Sequence, residues 1–231
     1  MSIGVLVYDS MFLLGHRKYE SAMCLAMNAL DATAQQEYPQ LAGRGHVGER
    51  IRRFVCDHYD IISLVGSGGA NYADPGAHLK LGNPPKLLED ILYEVARCSL
   101  THEAKLPSDT YFNEQAVFGT TPQGFSLPVN MVYAVILAVV GAKTNAGETP
   151  ADATPHTFII GSATIPVTKC WGNKAKIFDC LGMKLLGPDH PTGTGLENMV
   201  GFYRKTGREE NAKRLEDNIS ALQAIKQSTA I

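Results

Sequence analysis

Apolar residues recur at helical spacing along most of this chain. Between His16 and Glu37 the positions Tyr19, Met23, Ala26 and Leu30 share one face and Pro39 follows as a stop, which predicts an amphipathic helix. Residues 46 to 65 repeat the pattern with Val47, Ile51, Phe54, His58, Ile61 and Val65, and end at Gly66, Gly68 and Gly69. His58 on that face reads as a packed core histidine. A long loop rich in Gly, Asn, Asp and Pro then leads to a third helix, from Pro85 to about Lys105, with Pro85 suited to a first helical position. Its stripe is Leu88, Ile91, Val95, Cys98 and His102, and Pro107 ends it. The run Leu127 to Ala142 predicts a fourth, buried helix, since it is shorter than the roughly 20 residues a membrane crossing needs and carries Asn130.

After a polar linker from Thr144 to Pro155, HTFIIGSATIPVT reads as two short β-branched strands around Gly161 and Ser162, a hairpin. Helices are then expected over Lys174 to Met183, Leu196 to Lys205 and Glu209 to Gln227, the last with Leu215, Ile219, Leu222 and Ile225. No internal repeat or low-complexity segment interrupts this order. The predicted architecture is mainly α, a helical bundle over residues 1–142, with an accessory hairpin and C-terminal helices over 143–231 packed on it.

At 231 residues, with 45% hydrophobic and 19% charged positions, the chain can bury a sizeable core and lies far from the composition of a disordered one. Its five cysteines are spread apart and form no C-x-x-C, so neither a disulfide framework nor a zinc knuckle is indicated, and a reducing compartment is expected. The first residues, MSIGVLVYDSMFLLGHRK, place no basic residue ahead of the apolar stretch and interrupt it at Asp9, unlike a secretory signal. A cytoplasmic location without a membrane partner is the expectation. The net charge of −2 offers no global field for polyanions, so a nucleic-acid site would have to be local.

Several motifs fail on inspection. VGSGGAN lacks the Lys-Ser/Thr of a phosphate loop and is the natural end of a helix; Gly193 and Gly195 in PTGTGLEN are accounted for by the start of a helix. After His102-Glu103, Leu106 stands where a zinc-protease helix needs its second histidine, and no G-x-S-x-G elbow exists. No metal or cofactor is therefore expected.

The segment YEVARCSLTHEA holds Arg97 and His102 with four residues between them. Five residues of ideal helix rotate about 140°, so the two side chains do not stack directly. Brought together, across a symmetric interface, they would supply an imidazole that exchanges protons near neutral pH and a guanidinium for phosphate charge, the needs of metal-free phosphodiester cleavage. A structural alternative is an i,i+3 ion pair of Arg97 with Glu94 and a packed His102.

RCSLTHEAKLP resembles the R-x4-H motif of the HEPN superfamily, and two long amphipathic helices precede it as in that family, the first opening with Arg17 and Lys18 and the second reading GERIRRFVCDHYD. The resemblance covers about residues 16 to 142. It implies a helical bundle that homodimerises and a metal-independent endoribonuclease, a toxin or defence effector, that attacks through the ribose 2′-hydroxyl and leaves a 2′,3′-cyclic phosphate. On that resemblance His102 is the general base or acid and Arg97 binds the scissile phosphate; a protein partner such as an antitoxin is also implied. Thr101 and Glu103 would orient the histidine or contact RNA. The residue after the arginine, often Asn or Asp in the family, is Cys98 here, which leaves open a catalytically silent module that binds RNA, a nucleotide or a protein, or a helical scaffold. Arg44, His46, Arg50, Arg52 and Arg53 form the densest basic cluster, a candidate to hold the RNA backbone or an ordinary solvated face, and Tyr93, Tyr111 and Phe112 are candidate base-stacking platforms or core.

Overall fold

A computed structural model describes residues 2–69, 80–82, 84–115, 118–148, 156–183 and 194–228. It opens on a helix that periodicity does not reveal, α1 (Ile3–Gly15), because VLVY and MFLL make it apolar on nearly every side. The Ser2 hydroxyl caps it by accepting the Val5 N–H at 3.2 Å, and the Glu148 carboxylate accepts the Gly4 N–H at 2.8 Å. Arg17, in the left-handed region at φ 58°, turns the chain into α2 (Tyr19–Glu37). This is the central helix: Ala22, Met23, Ala26, Met27, Ala29 and Leu30 are fully buried, and their small or unbranched side chains let neighbours close in.

The stretch predicted as one helix over 46–65 is two, α3 (Val47–Asp57) and α4 (Tyr59–Gly66). His58 breaks the run, and the Asp60 side chain accepts the Ile61 N–H at 2.8 Å, a local bond that competes with the helical ladder. His58 is buried, as expected, with its ring stacked 4.2 Å from that of Phe54. Gly66 ends α4 and Gly68 and Gly69 take positive φ beyond it, so the glycine cluster is a helix terminus; most of the expected long loop lies outside the described residues.

The third helix does not begin at Pro85. Lys86–Leu87 (β2) pairs antiparallel with Lys80–Leu81 (β1), and helix follows as α5 (Leu88–Asp90), a π-helical segment (Ile91–Ser99) and α6 (Leu100–His102). Leu88 and Ile91 of the predicted stripe are buried, but along the π segment the buried positions continue as Leu92, Ala96 and Leu100, while Val95 and Cys98 are half-buried and His102 is exposed.

A three-stranded sheet adds more β structure than the hairpin alone. It contains β3 (Thr110–Asn113), β4 (Gly119–Thr121) and β5 (Gly124–Pro128), with β5 central, parallel to β3 and antiparallel to β4. Because Leu127 and Pro128 belong to β5, the next helix, α7, starts at Asn130 and runs to Gly141. It is buried on nearly every side between α2 and α4, as its unbroken apolar sequence requires.

The hairpin forms as β6 (Thr157–Ile160) and β7 (Ala163–Pro166), followed by α8 (Lys174–Leu181), α9 (Thr194–Lys205) and α10 (Glu209–Ser228). Polar bonds tie residues beyond 142 to the bundle. Asn145 donates to the Thr33 hydroxyl at 2.9 Å, the Trp171 indole to the Tyr8 hydroxyl at 3.0 Å, and Lys174 pairs with buried Asp60 at 2.6 Å. At Gly201 of α9 a Cβ would collide with the Gly182 carbonyl, so glycine allows α9 to reach the end of α8. Among the described residues the protein is mostly helical with small sheets, and no helix is long and apolar enough to cross a membrane.

Candidate functional site

Arg97 lies on the π segment where it faces α2 and α3. There the Asp31 carboxylate of α2 meets two guanidiniums. Arg50 of α3 donates from Nε to Asp31 Oδ1 at 2.7 Å and from Nη1 to the carbonyls of Leu41 and Gly43 at 3.1 and 2.9 Å. Arg97 Nη2 stands 3.6 Å from Asp31 Oδ2, and its Nε is buried with no hydrogen-bond partner. The carboxylate is thus satisfied by Arg50, and Arg97 carries a charge in excess of it.

His102 ends α6 and is exposed, as are Thr101 and Glu103 beside it. From Leu100 to His102 the backbone is α-helical, with the Leu100 N–H bonded to the Ala96 and Arg97 carbonyls and the Glu103 N–H to Ser99 at 2.8 Å. Arg97, on the π segment, is turned towards Asp31, and His102, beyond that segment on α6, is exposed. Ala104, at φ 56°, turns the chain away two residues later. The alternative pairing of Arg97 with Glu94 is not formed; Glu94 faces Lys86 at 3.2 Å and Arg52 at 3.9 Å.

The basic cluster does not form one cationic surface. Arg50 is buried at 5% exposure, out of reach of an RNA backbone, because its partner Asp31 sits in the bundle. Arg52 pairs with Asp90 at 2.6 Å and lies 4.5 Å over the Tyr93 ring; Arg53 pairs with Asp57 at 3.9 Å and lies over Tyr38. His46 meets Glu49 at 3.1 Å, and Arg44 is exposed on a single 3-10 turn.

Tyr93, half-buried, has its phenol pushed up first by burial and then by its hydrogen bond with the Cys98 thiol, whose own neighbours include this ring. Tyr111 and Phe112 lie on β3. Tyr111 bonds the Thr121 hydroxyl at 2.9 Å, and Phe112 packs 6.1 Å from Tyr19 near Arg17 and Lys18. Sequence reasoning missed Asp31, since its two arginines come from other helices, 19 and 66 residues away in the chain. Among the described residues no group of three or more His, Cys, Asp or Glu side chains is placed to hold a metal ion.

These features define a mainly α protein whose R-x4-H segment starts on a π-helical stretch, a rare backbone form often found at functional sites, and ends on an α-helical turn. A family model described as Rv1289 matches residues 2–185, most of the chain, and the protein belongs to the Rv1289 family. No curated protein and no solved structure matches it.

Proposed function

We propose that this protein is a HEPN-like, metal-independent endoribonuclease in which Arg97 and His102 act on the scissile phosphodiester, with a second copy of the chain completing the site. The observation that carries this reading is the two-to-one ratio of guanidinium to carboxylate at Asp31. It leaves on Arg97 a positive charge that Asp31, shared with Arg50, does not neutralise alone, a property that favours a phosphate; the Arg97 Nε itself is buried and would not meet one.

In the reaction the imidazole of one His102 takes the proton of the ribose 2′-hydroxyl, whose oxygen then bonds to phosphorus. The bond from phosphorus to the 5′-oxygen breaks, and the imidazolium of the other copy gives its proton to that leaving oxygen. Arg97 pairs with the non-bridging oxygens as charge builds on them. The products are a 2′,3′-cyclic phosphate and a 5′-hydroxyl. Since Arg97 and His102 diverge within one chain, two copies are needed to put imidazole and guanidinium on one phosphate. A toxin or defence role, held in check by a partner protein, is the setting in which such an activity is useful.

A second reading, a silent HEPN-like module that binds RNA, a nucleotide or a protein, is favoured by Cys98 after the arginine and by the low exposure of the Arg97 side chain, 16%. Incubation of cellular RNA with purified protein in excess EDTA, beside Arg97→Ala and His102→Ala, separates the two. Fragments ending in 2′,3′-cyclic phosphate, absent with both folded variants, are expected. Retarded but intact RNA would replace the nuclease by the binding module.

A further inference from the structure

The stretch that carries Arg97 and His102 also supplies two walls of a cavity of about 350 Å³. Ile91 and Val95 come from the π segment, Asp109 from the turn just ahead of β3, and Thr110, Thr120 and Phe125 from the three-stranded sheet. This volume lies at the lower end of ligand pockets, roughly 300 to 1,000 Å³, and suits one small ring system.

The lining sets the chemistry of the occupant. Ile91, Val95 and Phe125 make it mostly apolar, and Phe125 is braced edge-on by Phe118 with ring centroids 6.0 Å apart. Lys86 at the rim is already paired with Glu94 at 3.2 Å, so no spare cation invites a phosphate inside. Asp109 is fixed through its backbone: its carbonyl accepts the Phe125 N–H at 2.6 Å, and a Cβ at Gly124 would collide with that carbonyl. Its carboxylate is met by the Thr110 hydroxyl at 3.4 Å, the long limit of a hydrogen bond, and retains acceptor capacity. A flat, uncharged ring that offers two adjacent N–H donors to a carboxylate fits these constraints. Among the nucleobases guanine alone presents such a pair on one edge, from N1 and the exocyclic N2.

The geometry points to a guanine-selective subsite, with the base held beside Phe125 and its N1–H and N2–H donated to Asp109, while the attached phosphate stays outside. This rests on the RNA reading above only for the source of the base.

The test measures binding of GMP, AMP, CMP and UMP to the purified full-length protein by ligand-observed NMR, together with the sequence at the cleavage ends. GMP is expected to bind tighter than the other three by about tenfold or more, the worth of a charge-assisted pair of hydrogen bonds. Asp109→Asn should erase that preference, because the amide places a donor against a donor, and its backbone role leaves the fold intact. Val95→Trp should fill the cavity and weaken all four.

Equal affinities, no saturable GMP binding, or guanine preference that persists in Asp109→Asn would overturn the subsite. Selective GMP binding without cleavage would keep the subsite and end the nuclease reading. Cleavage with neither guanine bias nor GMP binding would do the reverse. Selective GMP binding with cleavage unbiased in sequence would make the free nucleotide, rather than an RNA residue, the ligand.

Discussion

Replacing Asp31 by asparagine tests how the two arginines divide their labour. Arg50 and Asp31 are 6% and 16% exposed at their side chains and share a 2.7 Å bond, so the substitution strands a buried guanidinium. Removing one partner of a buried pair typically costs 3–5 kcal/mol; Arg50 keeps the Leu41 and Gly43 carbonyls and the amide retains one acceptor oxygen, which puts Asp31→Asn near the lower end, about 3 kcal/mol. Arg50→Ala should cost as much or more, since it also leaves the Asp31 carboxylate half-buried beside the more distant Arg97.

Arg97→Ala should behave differently. Its contact with Asp31 is 3.6 Å, beyond a normal hydrogen bond, and its Nε is desolvated without an acceptor. Relief of that unsatisfied donor, worth about 1–3 kcal/mol, offsets the packing lost with the side-chain stem, so the net change should stay within about 1 kcal/mol. Urea unfolding followed by far-UV circular dichroism, with unchanged slope against denaturant, measures all three. If Arg97→Ala is as costly as Arg50→Ala, Arg97 is a structural residue. The loss of cleavage in that variant would then say nothing about chemistry, and the argument from surplus charge would fail.

Three further outcomes are expected. Lys174→Met leaves Asp60, 1% exposed, without its cation and should lower stability by about 3–5 kcal/mol in the same unfolding experiment, whereas an exposed pair such as Arg53 with Asp57 should contribute less than about 1 kcal/mol. Gly201→Ala should cost about 1–3 kcal/mol through overpacking against Gly182, and hydrogen exchange should quicken in α9 while α2 and α7 keep their protection. Burial, with Glu89 next, pushes the Cys56 thiol up to about 12, and burial, with Cys180 next, pushes Cys170 up to about 11. At pH 8 alkylation mapped by mass spectrometry should reach these two last. Both groups ionise more readily when unfolded, so their stabilising contribution is complete below about pH 9 and is lost as pH rises towards 11 and 12.

Which features the sequence discloses follows from the range of the forces involved. α2 and the β6–β7 hairpin were legible because their patterns are set by local burial over whole turns or strands. α1 was not, since a helix apolar all round has no period; Ser2 at its start was the available sign. The break at His58 depends on the Asp60 side chain and on Glu37, whose carboxylate lies 3.6 Å from the His58 ring, a residue of another helix. The sheet was hidden because β3, β4 and β5 are three to five residues long and β3 pairs with β5 across an intervening strand. Leu127–Pro128 was swallowed by the apolar run after it, although a residue before proline favours extended backbone.

The candidate site shows the same limit more sharply. R-x4-H names two residues, but which of them faces inward depends on the π segment, and no local pattern announces a π turn. The predicted stripe ended on His102; in the structure Leu100 is the buried residue of that turn and the imidazole is exposed. Arg97 is turned towards Asp31 on α2. The passage from π-helix at Arg97 to α-helix at His102 thus accompanies an arginine set against Asp31 and a histidine in solvent. In a single chain that arrangement separates the imidazole from the guanidinium, which is why the proposed reaction calls on a second copy. The Rv1289 match ends at residue 185, ahead of α9, while the polar bonds from Asn145, Trp171 and Lys174 tie residues beyond 142 into the bundle. Arg97 and His102 accordingly lie within the matched residues, and α9 and α10 lie beyond them, with α9 meeting the end of α8 where Gly201 abuts Gly182.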